Sequence, residues 1–166
     1  MHIVISDTSS VIDLHLAKLL ESFLRLPHKI VVPRPLFEDE LLSLTVAEKR
    51  RLIQKGLEVW DIPGEGVATA RSYFNTYRWL KLNDCFALVM AESNARTVLL
   101  TGDRRLTNVA VERGVKTHGV LWATDEIYEH KCCTPAKLRA GLKLLSNDPL
   151  VFLPNDLLQK RLHKYR

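Results

Sequence analysis

The chain opens on an apolar run that ends in a carboxylate. The β-branched residues 3–5 (Ile-Val-Ile) lead into Ser6 and Asp7, and small polar residues follow at once. Apolar residues then recur at helical spacing, at Val11, Ile12, Leu16, Leu19, Leu20 and Phe23. This pattern predicts a buried strand that feeds a helix, with Asp7 at the carboxyl end of the strand. In open α/β sheets, ligands bind at that edge.

Strand and helix patterns alternate along the rest of the chain. Further strands are predicted at residues 29–32, 57–62, 97–101 and 115–118. The first helix is expected to extend to about Leu26, and helix starts are predicted at Ser10, Thr45, Asn83 or Asp84, Thr124, Thr134 and Asn155. Alternation of this kind indicates a parallel sheet with helices on both faces. The predicted fold class is therefore α/β, a three-layer α/β/α sandwich with a central parallel sheet.

Length, hydropathy and cysteine content indicate the number of domains and the location of the protein. The 166 residues suit a single domain with a full core, and no linker or repeat divides them. We predict one domain over residues 1–166, in which residues 146–166 form a basic C-terminal helical extension. No apolar run approaches a membrane span, and no signal peptide is predicted. The three cysteines, Cys85, Cys132 and Cys133, show neither a disulfide framework nor zinc-ligand spacing, so the expected location is cytoplasmic.

The basic charge balance indicates a polyanionic partner. The formal net charge is +5, and the basic residues cluster at 49–51, at Arg104 and Arg105, and in Lys160, Arg161, Lys164 and Arg166. A solvated helix face explains any one of these clusters. Taken together, they make nucleic acid the leading candidate for the partner.

Two of the predicted strands end in an acidic residue. Asp7 follows the first strand, and Asp103 follows the strand at residues 97–101. If both strands are central and parallel, both carboxylates emerge at the same edge of the sheet. The alternative role for each residue is a helix cap.

Two further acids are candidates for the same edge. Asp84 opens the most apolar helix and shares a face with two alanines, which would let this helix approach the sheet closely. Its alternative role is a first-turn acid favoured by the helix dipole. Glu40 follows the second strand, and Glu38 and Asp39 compete for its place because the sequence leaves the rotation of this helix open.

A cluster of such acids would require a cation. Carboxylates that converge in one cleft repel each other and raise one another's pKa values. Oxygen ligands without His or Cys favour Mg²⁺ or Mn²⁺, and the predicted metal ligands are Asp7, Asp84 and Asp103. The six histidines are scattered without ligand spacing, so surface or packing roles are predicted for them.

Four segments of the chain together resemble a known family. They are residues 4–9 (Val-Ile-Ser-Asp-Thr-Ser), Val32-Pro33 ahead of Glu40-Leu41, residues 83–88 (Asn-Asp-Cys-Phe-Ala-Leu) ahead of Ala91-Glu92, and residues 99–106 (Leu-Leu-Thr-Gly-Asp-Arg-Arg-Leu). Their order and spacing, over about the first 120 residues, resemble those of PIN-domain ribonucleases. The resemblance is strongest to the VapC-like toxins of prokaryotic toxin–antitoxin pairs.

The resemblance implies a PIN-like sandwich that cleaves RNA endonucleolytically with Mg²⁺ or Mn²⁺. It also implies a homodimer and an antitoxin protein that lies across the active cleft. By position, the family's catalytic acids correspond to Asp7, Glu40, Asp84 and Asp103. Ser9 and Thr101 would be supporting hydroxyls near the metal, and Arg104 and Arg105 are the candidates for binding the RNA backbone.

Three other functions are also compatible with parts of the sequence. A phosphatase of the haloacid-dehalogenase type also begins with an aspartate after its first strand, but it requires a second aspartate where this chain has Ser9. A non-catalytic PIN-like scaffold would bind RNA or protein without cleaving RNA. A stand-alone RNA-processing nuclease would share the chemistry and have no antitoxin.

Overall fold

The computed structural model describes every residue from Met1 to Arg166. Five strands form one sheet: β1 (Ile3–Ser6), β2 (Lys29–Pro33), β3 (Leu57–Trp60), β4 (Thr97–Leu100) and β5 (Thr117–His118). The helices are α1 (Thr8–Leu16), α2 (Leu20–Phe23), α3 (Arg34–Asp39), α4 (Val46–Gln54), α5 (Gly64–Thr76), α6 (Leu82–Glu92), α7 (Arg104–Glu112), α8 (Val120–Glu129), α9 (Pro135–Ser146) and α10 (Asn155–Lys164). None of them combines the length and the apolar character needed to cross a membrane.

The sheet is parallel throughout, in the order β3-β2-β1-β4-β5. β1 lies at its centre, and Ser6 at the end of β1 pairs with Leu100 at the end of β4. Because these two strands run in the same direction and end in register, the residues that follow them emerge at one edge of the sheet. The predicted parallel sheet is confirmed.

Helices cover both faces of the sheet. On one face, α6 packs against β1, β2 and β4 and contacts α3 and α7, while α5 packs on α6. The second group consists of α1, α2, α8, α9 and α10, which contact one another. One hydrophobic core of 43 buried residues includes side chains from the sheet and from both groups. The fold is therefore the α/β/α sandwich that the sequence predicts.

The first helix differs from its prediction. Asp7, and not Ser10, caps α1, because the Asp7 carboxylate accepts a hydrogen bond from the Ser10 backbone N–H at 2.8 Å. The long helix expected to reach about Leu26 is broken at Lys18, whose φ of 58° lies in the left-handed region. Apolar side chains on both sides of the break face the core, so their spacing alone does not reveal it.

Polar caps were predicted correctly for two helices, whereas the predicted caps Thr124 and Asn155 both lie within their helices. Thr45 caps α4 and Thr134 caps α9. Thr124 lies instead inside α8, which begins after Gly119. The Thr124 hydroxyl is buried and donates to the carbonyl of Leu121 at 2.8 Å. α8 thus begins without a side-chain cap, and no polar signal marks its start.

The remaining boundaries differ from their predictions by a few residues. α6 begins at Leu82 after Lys81, and α10 begins at Asn155 after Pro154. β5 is limited to Thr117 and His118. None of these differences moves a predicted site residue to another element.

The last helix packs onto the domain through both apolar and charged contacts. Tyr165 is fully buried, and its hydroxyl lies 2.9 Å from Thr124 Oγ1 and 3.0 Å from Asp125 Oδ1. Arg161 and Lys164 form ion pairs with Asp125 at 2.6 and 3.2 Å. Two of the four basic residues of the C-terminal cluster are therefore engaged by an acidic neighbour.

Candidate active site

Asp7 lies directly after β1 and is only 4% exposed. One oxygen of its carboxylate accepts the Ser10 backbone N–H. The other oxygen accepts the hydroxyl of Ser9 at 3.0 Å and the hydroxyl of Thr101. Three donors therefore fix the orientation of this carboxylate at the edge of the sheet.

Thr101 connects Asp7 to the second acid at this edge. The backbone N–H of Asp103 donates to Thr101 Oγ1 at 3.0 Å. Asp103 caps α7, because its Oδ1 accepts the backbone N–H groups of Arg105 and Leu106 at 2.6 and 3.2 Å. Both strand-end acids are thus helix caps and also neighbours, so the two roles considered for each are compatible.

α6 and α3 bring two more acids to the same region. Asp84 lies in the first turn of α6, where its Oδ2 accepts the Lys81 backbone N–H at 2.8 Å. Glu40 ends α3, and its Oε1 accepts the Asn83 side-chain amide at 2.6 Å. The Asn83 hydrogen bond joins the end of α3 to the start of α6, next to Asp84.

The two competitors of Glu40 make no bond to α6. Glu38 is exposed and lies 3.5 Å from Arg34 on its own helix. Asp39 is also exposed and has no hydrogen bond or ion pair from its side chain. Of the three consecutive acids, Glu40 is the one that contacts α6 through its side chain.

The acids influence one another's ionisation. Burial raises the pKa of Asp84, the Lys81 backbone N–H lowers it, and the negative charges of Asp103, Asp7 and Glu40 raise it again. Burial also raises the pKa of Asp7, against the hydrogen bonds that favour its ionised form. The structure therefore brings all four predicted acids into one electronegative cluster.

The donor set of this cluster suits a hard cation. Asp84, Asp103 and Glu40 each keep one carboxylate oxygen that no donor of the chain contacts. Carboxylates and hydroxyls are the ligands that Mg²⁺ and Mn²⁺ prefer. A divalent cation would also offset the repulsion that raises the pKa of Asp84. The residues present thus fit the predicted metal.

A groove of about 610 Å³ opens beside Asp103. Ser9 and Thr101 line it on the side of the acidic cluster, and residues 150–154 line it as well. In that segment Leu150 and Phe152 are 92% and 91% exposed. Asp103 therefore lines an open groove with an apolar rim, and Ser9 and Thr101, which bond to Asp7, lie beside it.

Asp13 lines the same groove and was not predicted from the sequence. Burial raises its pKa to about 6, and the negative charges of Asp7 and Asp148 contribute to the rise. Asp13 lies four residues after Ser9, so both side chains share one face of α1. That spacing is the signal by which Asp13 could have been found.

Arg104 and Arg105 lie in the first turn of α7, directly after Asp103. Both are exposed, and neither guanidinium group makes a hydrogen bond or an ion pair within the chain. Their charges remain available to an anion that approaches Asp103.

The fold and the acidic cluster define an α/β protein with a candidate metal centre at the carboxyl edge of its parallel sheet. A family model described as PIN domain matches residues 3–166. The match spans nearly the whole chain, and the protein therefore belongs to the PIN-domain family, whose fold is of the nuclease type. No curated protein matches the chain. The resemblance drawn from the four sequence segments is confirmed at the level of the PIN domain.

Proposed function

We propose that the protein is a Mg²⁺- or Mn²⁺-dependent endoribonuclease. The observation that carries the proposal is the acidic cluster, in which the charges of Asp103, Asp7 and Glu40 all act on Asp84. Carboxylates whose charges act on one another are most stable when a divalent cation lies between them. Membership in a family with a nuclease-type fold supports the same chemistry.

In this proposal Asp7, Asp84 and Asp103 hold the cation, and Glu40 completes or orients the site through its hydrogen bond with Asn83. When bound, the cation supplies Lewis acidity, which favours attack of water on a phosphodiester bond and stabilises the leaving oxygen. The capping bonds at Asp7 and Asp103 fix both carboxylates before substrate arrives. A site held in advance in this way loses little free energy to reorganisation.

RNA is the proposed substrate class. The unpaired guanidinium groups of Arg104 and Arg105 lie beside Asp103, where they can bind phosphates through salt-sensitive contacts. Ser9 and Thr101 support the Asp7 carboxylate by donating hydrogen bonds to it. The open groove beside these residues leaves room for a single strand.

The more specific proposal is a toxin of a toxin–antitoxin pair that acts in the cytoplasm as a homodimer. The similarity of the four sequence segments to VapC-like toxins supports this role, and the absence of a disulfide framework supports the location. Exposed Leu150 and Phe152 at the groove offer an apolar surface on which an antitoxin could pack. A neighbouring small gene for a DNA-binding protein with a flexible tail would favour the toxin over a stand-alone nuclease.

A non-catalytic PIN-like scaffold is the second candidate, and one observation favours it. Asp7 and Asp103 both cap helices, so each has a structural role that is independent of any reaction. Such a scaffold would bind RNA or protein and leave RNA intact.

The test compares Asp103→Asn with the parent protein in cleavage of labelled single-stranded RNA at millimolar Mg²⁺. Asparagine can keep the cap of α7, so the fold should survive and circular dichroism should be unchanged. We expect cleavage to fall by more than about 100-fold, because even changes outside the ligand shell cost 10- to 100-fold.

Asp39→Asn is the matched control, since Asp39 is exposed and its side chain makes no hydrogen bond or ion pair. It should cleave as the parent does. If Asp103→Asn retains full activity, the proposed mechanism is wrong. If the parent binds RNA and does not cleave it in Mg²⁺ or Mn²⁺, the scaffold is the better description.

A further inference from the structure

Two histidines and a glutamate meet at the far end of the sheet from the acidic cluster. His28 directly precedes β2, and Glu126 and His130 lie one turn apart at the end of α8. His28 Nε2 is 2.9 Å from Glu126 Oε2, and His130 Nε2 is 3.6 Å from the same oxygen. The three ligand atoms all lie within 4.8 Å of one another. The expectation that the histidines are scattered is wrong for His28 and His130.

These distances suit a tetrahedral transition-metal site. Zn²⁺ binds imidazole nitrogen and carboxylate oxygen at about 2.0–2.2 Å, which places neighbouring ligand atoms about 3.4 Å apart. The observed distances of 2.9 and 3.6 Å from Glu126 to the two histidines lie on either side of that value. Two imidazoles and one carboxylate form a known zinc ligand set with a fourth position open to water. Mg²⁺ prefers oxygen ligands and suits this set poorly.

Packing holds the buried ligand and leaves a path to solvent. The His28 side chain is 5% exposed, and its ring packs against the rings of His2 and Trp122, at centroid distances of 5.5 and 6.3 Å. The His130 side chain is 42% exposed, so an ion can reach the cluster from that side. If His28 binds the ion through Nε2, its proton must sit on Nδ1. Nδ1 can then no longer accept the hydrogen bond from the His2 backbone N–H. That bond is 3.5 Å long, so it contributes little.

The cluster is separate from the proposed nuclease site. His2, whose ring contacts His28, precedes β1, whereas Asp7 follows β1. Five residues of extended strand span about 16 Å. None of the four acids of the cleft belongs to the histidine cluster.

We propose that His28, Glu126 and His130 bind a divalent transition-metal ion, preferentially Zn²⁺, with water as the fourth ligand. The ion joins the turn before β2 to the last turn of α8. Without the ion, Glu126 bonds to His28 and pairs with His130, so the ligands stay together in the metal-free protein. This preformed arrangement lowers the cost of ordering them around the ion.

The test is a titration of the full-length protein with Zn²⁺ after treatment with a chelator, in competition with a chromophoric chelator. His130→Gln is the main variant, because His130 lies at the surface and outside the hydrophobic core. We expect the parent to bind one tight equivalent of Zn²⁺ that His130→Gln binds more than about 100-fold more weakly, since even outer-shell changes cost 10- to 100-fold. X-ray absorption of the Zn²⁺-loaded parent should show imidazole scattering.

Two control variants make the result specific. His163→Gln removes an exposed histidine from α10 and should bind Zn²⁺ as the parent does. Asp103→Asn alters the acidic cluster and should also keep the tight equivalent, so a failure at one site does not imply a failure at the other. Equal Zn²⁺ affinity in the parent and His130→Gln, or a tight equivalent lost in Asp103→Asn, would overturn the proposal.

Discussion

At the scale of single residues, the carboxyl group of Asp13 is affected both by burial and by the charges of Asp7 and Asp148, and its pKa rises to about 6. A raised pKa means that the folded protein binds this proton more tightly than the unfolded chain does. Ionised Asp13 therefore opposes folding. The resulting loss of stability is absent below about pH 4, develops between about pH 4 and 6, and is complete above that range.

Replacement of Asp13 by asparagine should accordingly stabilise the metal-free protein at neutral pH. Asp13 is only partly buried, and solvent screening reduces the expected gain in unfolding free energy to the order of 1 kcal/mol. Thermal unfolding in EDTA, followed by circular dichroism from about pH 4 to pH 8, measures the difference.

The gain of Asp13→Asn should vanish at the acidic end of that range. Glu112→Gln changes an exposed acid at the end of α7 and should show no such pH window. A constant difference between Asp13→Asn and the parent across the whole range would mean that packing, and not ionisation, is responsible.

Asp7 and Asp103 could be predicted as neighbours from the sequence, because each follows a strong strand pattern and parallel strands end at one edge. Asp13 could not be predicted to lie near these two acids, since a polar residue within an amphipathic helix usually faces solvent. The position of Glu40 could not be predicted for a different reason. Its side chain is placed by the rotation of α3 and by Asn83, which lies far away in sequence.

At the scale of secondary-structure elements, α7 begins directly after Asp103, which lines the groove, and Arg104 and Arg105 in its first turn are exposed. Arg105→Ala should weaken binding of single-stranded RNA. It should also reduce the slope of log affinity against log salt by about 0.7, the value for one lost phosphate contact.

Fluorescence anisotropy in EDTA, which prevents metal-dependent cleavage, measures the salt slope for Arg105→Ala. Arg50→Ala on α4 is the matched control, because Arg50 is exposed and makes no side-chain bond. An unchanged slope in Arg105→Ala would remove this residue from the RNA interface.

α9 packs closely against the turn between α1 and α2. A Cβ atom on Gly141 would lie 2.7 Å from Leu19 Cδ1 and 2.8 Å from the backbone oxygen of Ala17. Gly141→Ala should therefore lower the unfolding free energy by about 1–3 kcal/mol, as overpacking of a core does. Urea denaturation measures the loss.

Gly64→Ala provides the comparison, because no atom lies within 4 Å of the Cβ position at Gly64. This variant should be as stable as the parent or slightly more stable. Equal stability of the two alanine variants would show that α9 can shift away without cost.

Helix starts could be predicted where a local interaction determines them. Thr45 and Thr134 each accept a backbone N–H three residues on, which a sequence displays directly. The break at Lys18 and the start of α8 after Gly119 have no such local signal. Packing of α2 on α8 and of α8 on β5 decides them, and that packing is visible only in three dimensions.

At the scale of the whole molecule, binding of Mg²⁺ to the acidic cluster should stabilise the fold by mass action. At a free concentration of 100 times the dissociation constant, the gain is about 2.7 kcal/mol. The midpoint of thermal unfolding of the parent should therefore be several degrees higher in excess Mg²⁺ than in EDTA. Asp103→Asn should respond much less, and Asp39→Asn should respond as the parent does. An equal rise in all three proteins would indicate a general effect of the salt.

The overall architecture was the most predictable level, because strand and helix patterns alternate and each βα unit has one handedness of connection. The common edge of β1 and β4 follows from their parallel direction, whereas the strand order is known only from the structure. The histidine cluster was not predictable in this way. His28 comes from a turn and His130 from the end of α8, and only the packing of the second group of helices brings them together.

The dual use of Asp7 has a consequence for how such a protein can change over generations. Asparagine at this position could still accept the Ser10 N–H, so the chain would go on folding after the charge proposed to hold the cation is gone. One replacement could therefore remove the charge of Asp7 and keep its structural role as a helix cap. A nuclease of the proposed design could therefore become a non-catalytic protein of the same fold through a single substitution.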